Sequence, residues 1–185
     1  MIDRILCTNN KDDIKTLTTR SKILRIPLTI QTKKEIYLLI EIFKSLMPAG
    51  GLAAPQIGIN KRFFVFSPSR NINDIKIVIN PIILSSTSKI ISWEGCFSCP
   101  MLACKLYRAK KLHVSYFDLY EEKHICCYSY EAARIFQHEL DHLDGVLIKD
   151  KEIDRILFLE HKKYIKFLKK QIYEKKTTFS YRERK

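Results

Sequence analysis

Apolar residues at Ile36, Leu39, Ile40, Phe43 and Met47 recur at three- and four-residue intervals, which predicts a helix over Thr32–Met47 with one buried stripe. Before it lies a polar arm; after it the pattern shortens to strand-length runs at Arg62–Phe66, Lys76–Asn80 and Lys89–Trp93. Leu112–Phe117 predicts a further strand, paired with His124–Tyr128 through a turn at Leu119–Lys123. His113 and His124 are then strand-face residues rather than ligands. A second helix is predicted from about Tyr130 to Leu143, with Asp144-Gly145 ending it. Ile153, Leu157, Tyr164, Leu168 and Ile172 mark one stripe of a third helix, from Ile153 to Tyr173, and Lys162, Lys163, Lys166, Lys169 and Lys170 crowd its other faces. The fold class is α+β: antiparallel strands packed around a central helix, with an amphipathic basic helix at the C-terminus. Residues 1–150 form the main folded unit, and 151–185 the basic helix and a flexible tail from Thr177.

Composition changes this picture little. The chain has 185 residues, enough for one domain with a sizeable core. No apolar run approaches the ~20 residues of a membrane span, and the N-terminus is too short in apolar residues for a signal peptide. Six cysteines show no disulfide framework, Cys126-Cys127 being adjacent, so a reducing compartment is expected: the cytoplasm of a bacterium, or an organelle. Charge is more informative. The net charge is +13, and residues 151–185 hold twelve Lys/Arg against five Asp/Glu, which places +7 of it there. A solvated helix face accounts for such a run; so does a surface for polyanionic RNA.

The central helix carries the chemistry. Gln137-His138-Glu139-Leu140-Asp141-His142 contains HExxH, which sets two imidazoles one turn apart on one helix face, where both can bind one metal ion. Glu139 is then held beside an open coordination position, where it can take a proton from water. Two surface histidines are the bland alternative, but Ile135, Phe136, Leu143, Val146 and Leu147 make this a buried-type helix, where unpaired imidazoles are costly.

A third ligand is needed. At the metzincin spacing the position is Ile148, which cannot bind metal, and Glu160 at a gluzincin-like distance sits in a Lys-rich stretch. Cys96, in Trp93-Glu94-Gly95-Cys96-Phe97-Ser98, is the better candidate: thiolate is a strong ligand for Zn²⁺ or Fe²⁺, and Gly95 allows close backbone approach. Cys96 and Cys99 also form a C-x-x-C, which leaves open a closed Cys₂His₂ site or a redox pair. A closed site has no use for Glu139, and nothing nearby reads as a thioredoxin-like unit; Cys99 is then a buried apolar neighbour. A third element, Ala49-Gly50-Gly51-Leu52-Ala53-Ala54-Pro55-Gln56, offers small residues against which a substrate backbone can lie, and the Gln56 amide as a donor to a carbonyl oxygen.

These three elements, in this order, resemble the peptide deformylase family, whose motifs are G-x-G-x-A-A-x-Q, E-G-C-x-S and Q-H-E-x-D-H. The second and third are complete at Glu94–Ser98 and Gln137–His142; in the first, Ala49 replaces a glycine. The resemblance covers roughly residues 45 to 150. It implies a hydrolase that removes the N-formyl group from the initiator methionine of nascent chains. Implied ligands are Cys96, His138 and His142, holding one divalent ion: Fe²⁺ in cells, with Zn²⁺, Ni²⁺ or Co²⁺ as substitutes. Implied roles are general acid/base for Glu139, formyl-oxygen donors in Gln56 and the Phe97 backbone N–H, peptide contacts around Gly50, Gly51, Glu94 and Gly95, and a structural Arg108. Family members dock on the ribosome through a C-terminal helix, which implies the same use for the basic segment. Ala103, Tyr107, Tyr130 and Glu131 also depart from residues common in the family; none is at the metal or at Glu139, so they bear on substrate affinity more than on chemistry. An HExxH peptidase, indifferent to Cys96, and a catalytically silent ribosome-associated homologue are the competing classes.

Overall fold

The structure is a computed structural model that describes residues 4–170. A short helix, α1 (Lys11–Leu17), occupies the expected polar arm; the Asn10 side chain caps it by accepting from the Asp12 N–H, and its Leu17 is fully buried. The helix predicted over 32–47 runs Ile30–Ser45 (α2), started by Thr29, whose hydroxyl accepts from the Thr32 N–H at 3.1 Å. Strands follow at Gly51–Ala53 (β1), Phe63–Phe66 (β2), Lys76–Ser86 (β3), Lys89–Cys96 (β4), Cys99–Ala109 (β5), Lys111–Phe117 (β6) and Lys123–Ser129 (β7). Helix α3 spans Tyr130–Leu143, as its pattern predicts, and Gly145, at φ +71°, turns the chain away from it. Strand β8 (Asp154–Leu157) precedes helical residues 161–170 (α4).

Two antiparallel sheets result, one in the order β1-β2-β3-β6-β7 and one in the order β4-β5-β8. Strand β2 explains how the larger sheet is covered. All four residues of Phe-Phe-Val-Phe are buried, so the period of two serves two cores at once. Phe63 and Val65 pack with Ile36, Leu39 and Phe43 of α2, while Phe64 and Phe66 pack with Ile135, Phe136 and Leu140 of α3. Phe136 meets Phe64 edge-on at 5.1 Å between ring centroids, and Tyr128 lies stacked on it at 5.6 Å. Helix α3 is therefore pinned through its apolar face, which leaves its other face for polar work.

The structure adds strands to the predicted elements and moves the start of another element. Strand β5 went unrecognised because its buried positions do not alternate; pairing with β4, in register from Lys89↔Ala109 to Gly95↔Ala103, is what makes it a strand. The C-terminal helix does not begin at Ile153. Ile153 and Leu157 stand instead in and beside β8, which hydrogen-bonds the open edge of β5 with Leu102↔Leu157 and Lys105↔Asp154 in register. A division at residue 150 thus falls ahead of a strand that completes a sheet. Ile172, Tyr173 and the tail from Thr177 lie outside the described residues.

Replacing Phe136 by Ala should lower unfolding free energy by about 3–5 kcal/mol, the range for deleting a fully buried aromatic ring. Urea unfolding followed by circular dichroism measures this, and a loss under about 1 kcal/mol would mean that α3 is held by something other than this ring cluster.

Candidate metal centre

Strand β4 brings Glu94 and Cys96 to the same side, two residues apart, and the register shift between Gly95 and Cys96 re-aims the strand end at α3. Cys96 Sγ lies 3.2 Å from His142 Nε2. One ligand atom from each of Cys96, His138 and His142 falls within 4.8 Å of the others, from elements 42 or more positions apart in sequence. The donor set, one sulfur and two imidazole nitrogens, suits a divalent transition metal with a position left open. His142 is buried and stays neutral, because burial holds its pKa well below the usual value; neutral imidazole is the form that ligates.

Behind the ligands stands an ion-pair network. Glu94, 1 % exposed, accepts from Arg108 Nε and Nη2 at 2.8 Å each, and Oε2 also accepts from His138 Nδ1 at 2.9 Å. That bond settles the His138 tautomer: Nδ1 carries the proton and Nε2 is left for a metal. Burial pushes the Glu94 carboxyl upward, but the Arg108 charge and the hydrogen bonds from Arg108 and His138 outweigh it and hold it far below the usual carboxylate range. Arg108 Nη1 donates to Asp141 Oδ2 at 2.6 Å, tying β5 to α3 as well. Glu94 was expected among the peptide contacts; both its oxygens are instead engaged by Arg108 and His138.

Glu139 is buried beside the ligands, and its Oε2 has no partner among the described residues. Burial raises its carboxyl to about 7. Gly51 makes room for it, since a Cβ there would stand 2.5 Å from Glu139 Oε1. Gln56 is oriented by its own oxygen, which accepts from the Ala53 N–H at 2.9 Å; its Nε2 then faces Ser98 Oγ at 3.2 Å and Cys96 Sγ at 3.7 Å. Gln56, Gly50, Gly51, Glu94, Gly95, Cys96, Phe97, His138 and Glu139 all line one cavity of about 250 Å³. His142 lies behind it. Cys99 is buried in the apolar cluster under β4 and β5.

Sequence reasoning missed part of this cavity. Arg70, Glu131 and Arg134 line it, as do Tyr164 and Leu168 of α4. A Cβ at Gly95 would stand 2.5 Å from the Tyr164 hydroxyl and 2.6 Å from Leu168, so α4, not open space, covers that glycine. The signal for Arg134 was legible, one helical turn before His138; nothing local pointed to Arg70. A second group of possible ligands, Asp118, Glu122 and His124, sits where the β6–β7 connection enters β7. Asp118 is already spent there on the N–H groups of Tyr120 and Glu122 and on His124.

A profile of the family described as polypeptide deformylase matches residues 3–156. The chain belongs to that family. It is 39 % identical over 104 residues to a peptide deformylase of Symbiobacterium thermophilum, a match covering 56 % of this chain and 48 % of that protein. It is 44 % identical over 105 residues to that of Thermotoga maritima, covering 55 % of this chain and 60 % of the relative. The chain thus spans about half the length of the curated relatives it matches. Crystal structures of family members share the fold. That of Thermotoga maritima superposes with a TM-score of 0.72 at 36 % identity, over 82 % of this chain and 97 % of the other. That of Plasmodium falciparum gives 0.70 at 29 %, over 95 % and 98 %.

Glu94→Gln keeps the shape but removes the charge that orients His138. Affinity for Zn²⁺ or Fe²⁺, measured by competition with a chromophoric chelator, should fall by about 10–100-fold; unchanged affinity would exclude Glu94 as the group that sets the His138 tautomer.

Proposed function

We propose that the chain is a peptide deformylase, hydrolysing the N-formyl group of formyl-methionyl nascent peptides to release formate. The observation that carries the reading is the meeting of the Cys96–His138–His142 donor set, of which Cys96 and His138 line the cavity, with a buried carboxyl at Glu139 and an oriented amide at Gln56 in the same cavity. Family membership supports it. A peptidase reading leaves Cys96 without a task, and a silent homologue leaves Glu139 buried and unpartnered at a cost of about 1–3 kcal/mol or more for nothing.

When bound by Cys96, His138 and His142, a divalent metal ion supplies acidification of a water and polarisation of a carbonyl oxygen; Fe²⁺ is the ion we assign, with Zn²⁺, Ni²⁺ or Co²⁺ able to substitute. The chain's own residues do the rest. Gln56 Nε2 and the Phe97 backbone N–H donate to the formyl oxygen as it gains negative charge. Glu139 receives the proton of the attacking water at the unpartnered Oε2. A carboxyl that titrates near neutral pH can hold that proton and return it to the departing amine nitrogen, so formate and a free amino terminus leave together. Gly50 and Gly51 line the cavity, where a peptide backbone can lie against β1.

A second reading concerns where this happens. Lys162, Lys163, Lys166 and Lys169 of α4 are exposed, while Tyr164 is buried against the cavity, so the helix presents its charge outward. Such a face suits ribosomal RNA. Replacing Lys162, Lys166 and Lys169 together by Glu should weaken ribosome binding and flatten its salt dependence in co-sedimentation, leaving turnover of short peptides intact; an unchanged salt slope sinks the idea.

The reaction itself is tested by formate release from a formyl-Met peptide, with protein prepared anaerobically and loaded with Fe²⁺ or Ni²⁺. Glu139→Gln should keep the metal and lose about 10²-fold or more in kcat, and Cys96→Ser should lose metal and turnover together. Normal turnover in Glu139→Gln would overturn the assignment.

A further inference from the structure

The candidate metal centre uses one cysteine of a pair. Cys96 ends β4 and Cys99 begins β5, with Phe97 and Ser98 as the connection, and the two cysteines are partners in the register of the sheet. Opposed residues of antiparallel strands have Cα atoms about 4.5–5.5 Å apart, within the roughly 4.4–6.8 Å that a disulfide spans. Both side chains join the same apolar cluster, with Leu17, Cys104 and Leu106, and the two thiols lie within hydrogen-bond reach of each other. Their surroundings differ in one respect. Cys96 lines the cavity and Cys99, 1 % exposed, does not, so a small uncharged oxidant entering the cavity meets the first sulfur and is kept from the second. Two other thiols of this region are engaged elsewhere: Cys104 Sγ donates to Glu152 Oε2 at 3.2 Å, and Cys7 Sγ to the Phe97 carbonyl at 3.5 Å. The turn is fastened to the N-terminal arm as well, where the Thr8 N–H donates to the Ser98 carbonyl at 2.8 Å.

A thiolate ligand needs no second thiol beside it, and valine would fill the apolar cluster as well. We propose that Cys96 and Cys99 form an oxidative modification site, in which a hydroperoxide that reaches Cys96 through the cavity drives a reversible Cys96–Cys99 disulfide. The inference rests on Cys96 as a metal ligand and not on the reaction proposed for the centre. The Cys96 thiolate attacks one peroxide oxygen; the O–O bond breaks, a sulfenic acid forms and hydroxide leaves. The Cys99 sulfur then attacks the sulfenic sulfur, its proton leaves with the hydroxyl as water, and the S–S bond closes. The two sulfurs together lose two electrons, and the peroxide gains them. A disulfide is not a thiolate ligand, so the bridge leaves two imidazoles and the metal ion is released. Without Cys99 the sulfenic acid goes on to sulfinic and sulfonic acids, which thiols do not reverse. Cys99 thus exchanges permanent loss of a ligand for temporary loss of the metal.

The test needs no substrate. The full chain loaded with Zn²⁺, which has no redox chemistry of its own, is treated with hydrogen peroxide while a chromophoric chelator reads released Zn²⁺. It is then alkylated, digested and mapped by mass spectrometry. We expect Zn²⁺ to leave as Cys96 becomes joined to Cys99, alkylation to miss two of the six cysteines, and dithiothreitol to restore both thiols and the binding of Zn²⁺. In Cys99→Val, Zn²⁺ should bind as before and leave on oxidation, but Cys96 should end as sulfinic or sulfonic acid and dithiothreitol should restore none of the binding. Cys96 of the unsubstituted chain found as sulfinic or sulfonic acid to the same extent as in Cys99→Val, or bridged to Cys7 or Cys104, overturns the proposal while the metal centre stands. Zn²⁺ binding unaffected by Cys96→Ser overturns the metal centre and the proposal with it. Where Cys99→Val does not fold, the peptide map of the unsubstituted chain decides: a Cys96–Cys99 bridge supports the proposal, and its absence once the metal has left overturns it.

Discussion

A buried ion pair holds the centre together. Arg108 on β5 grips Glu94 on β4 with two bonds of 2.8 Å, and both side chains are nearly inaccessible to water. A pair like this is seldom worth much against an apolar replacement, yet losing one partner strands a charge in low dielectric. Its value here is positional. Through Asp141 the pair fastens the smaller sheet to α3, and through His138 it fixes which imidazole nitrogen faces the ligand position. The strand bearing Cys96 and the helix bearing both histidines are thereby registered against each other by charge-assisted bonds rather than by apolar contact, which is less directional.

The remaining freedom of α3 is removed from its opposite side. Strand β2 is buried on both faces, and the T-shaped contacts of Phe136 with Phe64 and Phe66 fix the helix against the larger sheet. A helix clamped between an aromatic cluster and an ion-pair network presents a rigid polar face into a cavity. Rigidity of that kind is what a proton-transfer carboxyl and an oxyanion donor require, because their contribution depends on being in place before charge develops.

Two of the departures from the common family pattern, Tyr130 and Glu131, fall in the first turn of α3, away from the ligands. Tyr130 begins α3 at φ 52°, a conformation in which glycine is cheaper, and Glu131 follows it as the carboxylate shared by Arg70 and Arg134. The ligand-bearing part of α3 and the far wall are thus separable on one helix: His138 and His142 offer the ligand atoms with Glu139 between them, and Arg134 and Glu131 stand one and two turns before His138 at the end of the cavity. Helix α4 closes the cavity from outside, with Tyr164 and Leu168 against Gly95.

The chain's local patterns were sufficient for whatever depends on neighbours in sequence. The helices Ile30–Ser45 and Tyr130–Leu143, most strands of the larger sheet and the HExxH pair follow from periodicity and side-chain chemistry within one element. The family's three motifs, read in order, pointed to the rest of the candidate set around Cys96, Gln56 and Gly51. What the patterns could not reach depended on partners distant in the chain. Strand β5 has no alternation of its own and exists by pairing with β4; β8 is drawn out of an apparently helical stripe by the open edge of β5. Arg70 and Glu131 stand 61 positions apart, and neither carries a local sign that they meet. Periodicity reports which face of an element is buried, whereas the charged wall and the covering of Gly95 were decided only when the sheets and helices closed on one another.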